Sequence, residues 1–471
     1  MPDPDQHEIN PEDRAACLLV LQRIADDPAI IQGDKRLKSL IAKIHRTGKK
    51  EERRAGRQSR QADDHAVRQA TVIVRRGLPQ LSPVAIPPVG EASVGVLHRA
   101  VHCYRCKQPF TMVHFFYHLL CPDCASFCYA KRFQRADLSG RIALVTGGRI
   151  KIGYQTALRL LRDGARVIVT TRFPADATRR FSTERDAARW HERLSIHGLD
   201  LRNLSAVESF ARHLKDAEPY LDILINNAAQ TVKRPLAFYD HLLAAEAAAL
   251  PSNQEPVLLE ARANYPEAPQ IPPGSALTEP SAAQPVASLA AWFPPGLYDP
   301  DGQQIDKRPI NSWSLPLGGI SAVELVETQL VNAVAPFLLC SQLGTLLRGS
   351  PHARRFIVNV SAMEGQFARA SKTERHPHTN MAKAALNMLT RTSAAGCAKD
   401  GVFMNSVDTG WVTDENPAER RTRYQETTGF VTPLDVTDGM ARIYDPIARG
   451  INEAEGPLFG QFLKDFLPCP W

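Results

Sequence analysis

No run of eighteen uninterrupted apolar residues occurs in this 471-residue chain, so no bilayer-spanning helix is expected. The opening Met1-Pro2-Asp3-Pro4-Asp5 is acidic and polar, which argues against a secretory signal. An even complement of cysteines is missing too. The nine present, without a signal, point away from a disulfide framework and towards a reducing compartment, so a cytoplasmic location is expected. Aromatic residues are sparse, and none is interleaved with the densest basic stretch, between Lys35 and Arg76. Stacking on nucleic-acid bases therefore has no support, and that stretch is read as a solvated helix or connector. Neither nucleic acid nor membrane is an expected partner. The net charge of +7, with 44% hydrophobic and 23% charged residues, fits a globular chain long enough for two or three domains.

Apolar spacing at Leu18, Leu19, Leu21 and Ile24, then Leu37, Leu40, Ile41 and Ile44, predicts two short helices over residues 11–46, broken at Asp26-Asp27-Pro28. A polar connector follows to about Gln69. Pro79, Pro83, Pro87 and Pro88 mark residues 71–100 as a linker with one strand. The expected units are a helical, basic region with linker (1–100), a cysteine-rich module (101–135) and an α/β domain (136–471). In that domain, apolar runs of four to six residues alternate with helical stretches. Strands are predicted at Ile142–Val145, Ala165–Thr171, before Leu199, at Leu221–Ile225, at Phe356–Val360 and before Thr409. The expected fold is α/β, a doubly wound parallel sheet. Residues 233–319 break the rhythm with Pro272-Pro273-Gly274 and Pro294-Pro295-Gly296 and read as an insertion. A helix from Ala322 through Leu347 and another over 380–398 restore it.

The strongest chemical signal lies between the first predicted strand and helix, Thr146-Gly147-Gly148-Arg149-Ile150-Lys151-Ile152-Gly153. Glycines let the backbone turn sharply, and a helix N-terminus offers free amides to a pyrophosphate. This segment resembles the Thr-Gly-x-x-x-Gly-x-Gly turn of short-chain dehydrogenases/reductases, with Lys151 at the middle glycine. Further marks follow in family order over roughly the last 330 residues, apart from the insertion. Asp200, beside Leu201, resembles the acid that contacts adenine. Asn226-Asn227-Ala228-Ala229 resembles the Asn-Asn-Ala-Gly stretch. Asn332 and Lys383 fall where the family keeps its active-site asparagine and lysine. Val407-Asp408-Thr409-Gly410-Trp411-Val412 resembles the turn beside the nicotinamide. The resemblance implies a Rossmann fold and a dinucleotide held by Gly147, Arg149, Lys151, Ile152, Gly153, Arg172, Asp200, Leu201, Asn227, Ala228, Lys383 and Val412. The second strand ends in Thr170-Thr171-Arg172, with no carboxylate for a ribose 2′-hydroxyl. Arg172 suits a 2′-phosphate, so NADP(H) is expected rather than NAD(H).

The catalytic pattern departs from the family. Thr379 stands four residues before Lys383, where the resemblance calls for tyrosine, and no tyrosine occurs between Ala362 and Lys383. The serine position aligns with Ala362, next to Ser361. A threonine hydroxyl is too weak an acid to replace a phenol. A histidine titrates near neutrality, so His378 or His376 is expected to carry the proton, with Thr379 and Ser361 orienting a small-molecule substrate. The alternative is an inactive NADP(H)-binding sensor or scaffold. Homo-oligomers are expected from the family.

Cys103-x-x-Cys106 and Cys121-x-x-Cys124 are separated by fourteen residues. Two such turns complete a tetrahedral sulfur shell, so a structural zinc site is expected, with an iron–sulfur cluster as the less favoured occupant. The insertion leaves and rejoins the domain near the expected active site. It is read as a cap on the substrate pocket, with Trp292, Phe293, Tyr298 and Trp313 as apolar contacts.

Overall fold

The computed structural model describes residues 9–77, 93–247, 290–369 and 371–471. Pro79, Pro83, Pro87, Pro88 and Pro272-Pro273-Gly274 lie outside the described residues.

Helix α1 (Pro11–Asp26) opens on Asn10, whose side chain accepts from the Glu12 amide. Asp34 caps α2 in the same way through Arg36 and Leu37. The second helix does not stop near residue 46. It runs unbroken over Lys35–Gln69, because the expected connector is rich in Lys, Arg, Glu, Gln and Ala, all strong helix formers. Its far end docks where Asp64 accepts the amides of His98 and Arg99. The linker contributes a buried turn of helix, α3 (Val72–Gly77).

The cysteine-rich module starts at Ser93, ahead of the expected residue 101. Strands β1 (Ser93–His102) and β2 (Pro109–His114) form an antiparallel hairpin, followed by helix α4 (Pro122–Lys131). The module docks on the helix Val436–Asn452. Tyr117 donates to Asp438 at 2.5 Å, and Arg132 grips Asp435 at 2.7 and 3.0 Å.

The α/β domain is an eight-stranded sheet in the order β10-β9-β8-β7-β6-β3-β4-β5. Strands β3 (Ile142–Thr146), β4 (Arg166–Thr171), β5 (Leu194–Gly198), β6 (Ile223–Asn226), β7 (Arg355–Ser361) and β8 (Val402–Asp408) are parallel, as expected. Every residue of β3 and β7 is buried, as a sheet covered on both faces requires. One face packs α5 (Lys151–Arg162) and the Val436–Asn452 helix through Leu158, Leu161, Ile443 and Ile447. The other packs the helix Leu204–Ala217 and the Asn332 helix through Phe210, Leu214, Ala335 and Leu339. Each of the Leu, Ile and Phe side chains contributes about 1.5–3 kcal/mol on burial. Two strands were not legible in the sequence: β9 (Phe462–Lys464), parallel to β8, and β10 (Leu467–Cys469), antiparallel to β9. Three residues are too few to show a period.

The predicted 322–347 helix is continuous only to Gln342, and its middle, Leu330–Val334, relaxes into a π turn ahead of Pro336. Ala322–Gln342 is long and apolar enough to cross a bilayer, but Val331, Ala335 and Leu339 on it are core residues of the sheet.

Candidate functional site: a cleft above the sheet and a four-thiol cluster

Strand β3 ends in a turn built for close approach. Gly147 adopts φ +68°, and a Cβ there would lie 2.9 Å from the Ala228 Cα. A Cβ on Gly153 would lie 2.3 Å from the Gly147 carbonyl oxygen and 2.4 Å from Asn227 Nδ2. Asn227 locks the turn, donating through Nδ2 to the Thr146 and Gly147 carbonyls at 3.0 and 3.2 Å. Helix α5 begins with no side-chain cap, so its first amides remain available to an anion.

This turn floors a cleft of about 890 Å³. Gly147, Arg149, Lys151, Ile152, Gly153, Arg172, Asp200, Leu201, Asn227, Ala228 and Val412 all line it. Eleven positions spread over more than 260 residues of sequence thus converge on one space. Lys383, expected with them, does not line it.

The charges differ from the sequence reading. Arg149 is buried and spent on Asp176, at 2.6 Å, with its guanidinium over Phe173. Asp176 also holds Arg180 at 2.7 Å. Lys151, at φ +54°, and the exposed Arg172 remain as cations of the cleft. Arg172 lies over Tyr239, 4.6 Å from the ring, and donates to its hydroxyl at 3.0 Å. Asp200 is fixed by Arg202 at 2.6 Å. Burial opposes its ionisation, but Arg202 prevails and holds the carboxyl below its ordinary range.

The expected catalytic residues gather beside the cleft rather than on its wall. Asn332, in the π turn, clamps Gln230, accepting from its N–H at 2.7 Å and donating to its carbonyl at 3.0 Å; Gln230 itself lines the cleft. Lys383 Nζ donates to the Val360 carbonyl at 2.7 Å, and burial pulls its pKa down to about 8 against the attraction of Glu364. Ser361 Oγ bonds Asn387 Oδ1 at 2.6 Å. His378 is buried, with Nε2 3.4 Å from Thr379 Oγ1 and 3.8 Å from Glu324 Oε1. Burial lowers its pKa, partly offset by Glu324. His376 is engaged elsewhere: Nδ1 meets the Trp313 carbonyl at 2.9 Å.

Glu324 had no role in the sequence reading. Ser321-x-x-Glu324 has the form of a helix-capping box. Ser321 does cap the Glu324 amide, but the carboxylate instead accepts from Lys233 N–H at 2.8 Å and faces His378. The insertion is likewise corrected in part. Of its four expected contacts, only Tyr298 lines the cleft, joined by the unanticipated Asp299, Asp301, Gln303, Gln304 and Asp306. Phe293 packs edge-on against Phe238, 5.9 Å between centroids.

In the module, the sulfurs of Cys103, Cys106, Cys121 and Cys124 all lie within 4.8 Å of one another. Cys106 and Cys121 sulfurs are 3.7 Å apart, against about 3.8 Å for two thiolates on one tetrahedral zinc with bonds near 2.3 Å. The Cys121 amide and Arg105 point at Cys103 and Cys124 sulfurs, at 3.3 and 3.7 Å, as suits thiolates. Burial pushes the Cys121 and Cys124 thiols up, while the backbone hydrogen bond from Gln108 lowers Cys106 to about 7, so ionising the two raised thiols calls for a cation. His114 is taken up by the Phe116 amide and His118 by the Val431 carbonyl. The donor set fits a metal ion.

Residues 141–266 match the family described as short chain dehydrogenase. Uncharacterized protein R665 of Acanthamoeba polyphaga mimivirus is 31% identical over 363 residues, covering 73% of this chain and 71% of that one. The WW domain-containing oxidoreductase of Drosophila melanogaster is 39% identical over 95 residues, and the human dehydrogenase/reductase SDR family member 13 is 40% identical over 93. Each of those two matches spans 20% of this chain, and 23% and 24% of the respective relative. Among solved structures, an NADPH-bound carbonyl reductase from chicken fatty liver aligns with a TM-score of 0.43 at 18% identity, over 71% of this chain and all of the other.

Proposed function

On the premise that this chain belongs to the short-chain dehydrogenase/reductase family, we propose that it is an NADP(H)-dependent oxidoreductase acting on a small carbonyl or alcohol compound. The observation that carries this reading is the uncapped start of α5, set in a cradle that a Cβ at Gly147 or Gly153 would fill. Such a start accepts a pyrophosphate. The absence of a carboxylate after β4, and Arg172 in the cleft, favour a 2′-phosphorylated nucleotide. The nicotinamide, when bound, supplies the hydride chemistry.

What the chain must add is a proton at the substrate oxygen. His378 is the group we assign, with Thr379 Oγ1 at 3.4 Å as its outlet and Glu324 on the other side. Its lowered pKa favours the neutral ring, which can take the alcohol's proton during oxidation; in carbonyl reduction it gives a proton only after first taking one up from solvent. The four-thiol cluster holds zinc as a structural ion, since four protein sulfurs leave no open position for substrate.

A second reading, a non-catalytic NADP(H) sensor, draws support from one feature. Lys383 and Ser361 are committed to Val360 and Asn387 inside the core. Incubation with NADPH and a panel of aldehydes and ketones separates the two. Loss of NADPH absorbance that depends on His378 supports the enzyme; saturable NADPH binding with no turnover across the panel supports the sensor.

A further inference from the structure

Helix α2 presents a feature that the α/β domain does not explain. It carries twelve Lys and Arg against four Asp and Glu, a net +8. The whole chain has 57 basic and 50 acidic residues, which leaves 45 basic against 46 acidic outside the helix. The protein's entire positive excess therefore resides on this one element.

Its continuity over 35 residues keeps those charges in phase. At 100° per residue the twelve cations fall within an arc of about 160°. Lys43, Arg46, Lys50, Arg53, Arg57 and Arg60 follow one another at alternating steps of three and four, forming a strip about 26 Å long at 1.5 Å per residue. All six are exposed. Among the described residues none of them sits in an ion pair; Arg54 with Glu51 is the pair this stretch contains, and Arg46 bonds only the Ala42 carbonyl of its own helix. Two of its four acids are turned to other uses. Asp63 and Asp64 tie the end of the helix to His98 and Arg99.

We propose that this strip binds the phosphate backbone of a nucleic-acid duplex. A single-sign row on an exposed helix face is the electrostatic footprint of backbone contact. The helix has no Phe, Tyr or Trp, so it lacks the main stacking platform that single strands need, which favours a sequence-independent grip on a duplex. An anionic membrane is disfavoured by the opposite face. Between Ile44 and Val67, which packs into the module core, the opposite face holds Gly48, Glu52, Ala55, Ser59 and Ala66, whereas a helix lying in a bilayer interface needs a sustained apolar side.

The test is fluorescence anisotropy of the full chain with labelled 20-base-pair DNA and RNA duplexes of arbitrary sequence across a range of salt. A second arm uses vesicles containing phosphatidylserine. The comparison protein carries Lys43→Gln, Arg46→Gln, Lys50→Gln, Arg53→Gln, Arg57→Gln and Arg60→Gln, changes that keep helix propensity; circular dichroism checks that the helix persists. The expected result is micromolar duplex binding near physiological salt, with affinity falling as about the fifth power of salt, at about 0.9 per phosphate contact. The six-fold variant should bind at least about 100-fold more weakly with a much flatter salt dependence, and Arg53→Gln with Arg57→Gln alone should show an intermediate loss. No duplex binding even at low salt, equal binding by the variant, or capture by vesicles but not by duplex overturns the proposal.

Discussion

The indole of Trp313 lies flat on the imidazole of His376, with centroids 4.0 Å apart and planes within 3°. The His376 amide also donates to the Leu315 carbonyl at 2.9 Å. The end of the insertion is thus pinned to the segment that leads into the Lys383 helix, and His376 serves as the pin. His378, two residues on, faces Glu324 and Thr379 instead. The two histidines should therefore separate by phenotype. His378→Gln is expected to cut kcat about 100-fold or more, the usual scale of acid–base catalysis, without changing NADPH affinity. His376→Gln should lower the melting temperature and leave kcat within a few-fold. Steady-state kinetics with calorimetry distinguishes them, and equal kcat in both variants would remove His378 from the mechanism.

Arg172 sets the predicted cofactor choice. Arg149 is neutralised by Asp176, so Arg172 is left as the guanidinium in the cleft at the end of β4. Removing a charge-assisted hydrogen bond costs about 1.5–3 kcal/mol, or roughly 10- to 150-fold. Arg172→Ala should weaken NADPH by that factor and leave NADH nearly unaffected, as read by fluorescence titration. An equal loss for both nucleotides would mean that Arg172 does not read the 2′-phosphate.

The cysteine-rich module touches the cleft. Tyr104, between two of the cysteines, accepts the Trp411 amide at 2.9 Å, and Val412 lines the cleft. Elemental analysis is expected to find one zinc per chain. Cys106→Ser should lose it, lower the melting temperature by about 10 °C or more and weaken NADPH binding. Metal loss with unchanged nucleotide affinity would show that the module and the cleft are independent.

Stability should fall in acid with a defined sign. Burial holds His114, His118 and His197 each down to about 4, against about 6.5 unfolded. The folded chain excludes protons that the unfolded chain takes up. The stabilisation is therefore full above about pH 6.5 and is lost as pH falls towards 4, by about 3 kcal/mol per histidine at most. Urea midpoints measured from pH 7.5 to 4.5 should decline accordingly, and His197→Gln should remove about a third of the slope. A flat profile would contradict these burial effects.

What the sequence made legible was chemistry confined to short segments. The Gly147–Gly153 turn, the Asn227 stretch and the paired Cys-x-x-Cys turns each encode their geometry within a few residues. The parallel sheet was readable because β3, β4, β6 and β7 are apolar on both faces. Helix α2 was cut short because Ile44 is its last large apolar residue of regular spacing, so its second half carries no period to read. The pairing of Arg149 with Asp176 joins separate elements, which no local pattern reports. Glu324 was hidden behind its resemblance to a capping residue, and β9 and β10 are shorter than any detectable alternation.

The central claim is that a phosphorylated dinucleotide rests on the first amides of α5. Isothermal titration of the intact chain with NADPH, alongside Gly153→Ala, tests it directly. A methyl group there would press on the Gly147 carbonyl and Asn227, closing the cradle. The account predicts one saturable site per chain in the native protein and none in the variant. Absence of binding in the native chain, or undiminished binding by Gly153→Ala, would contradict it.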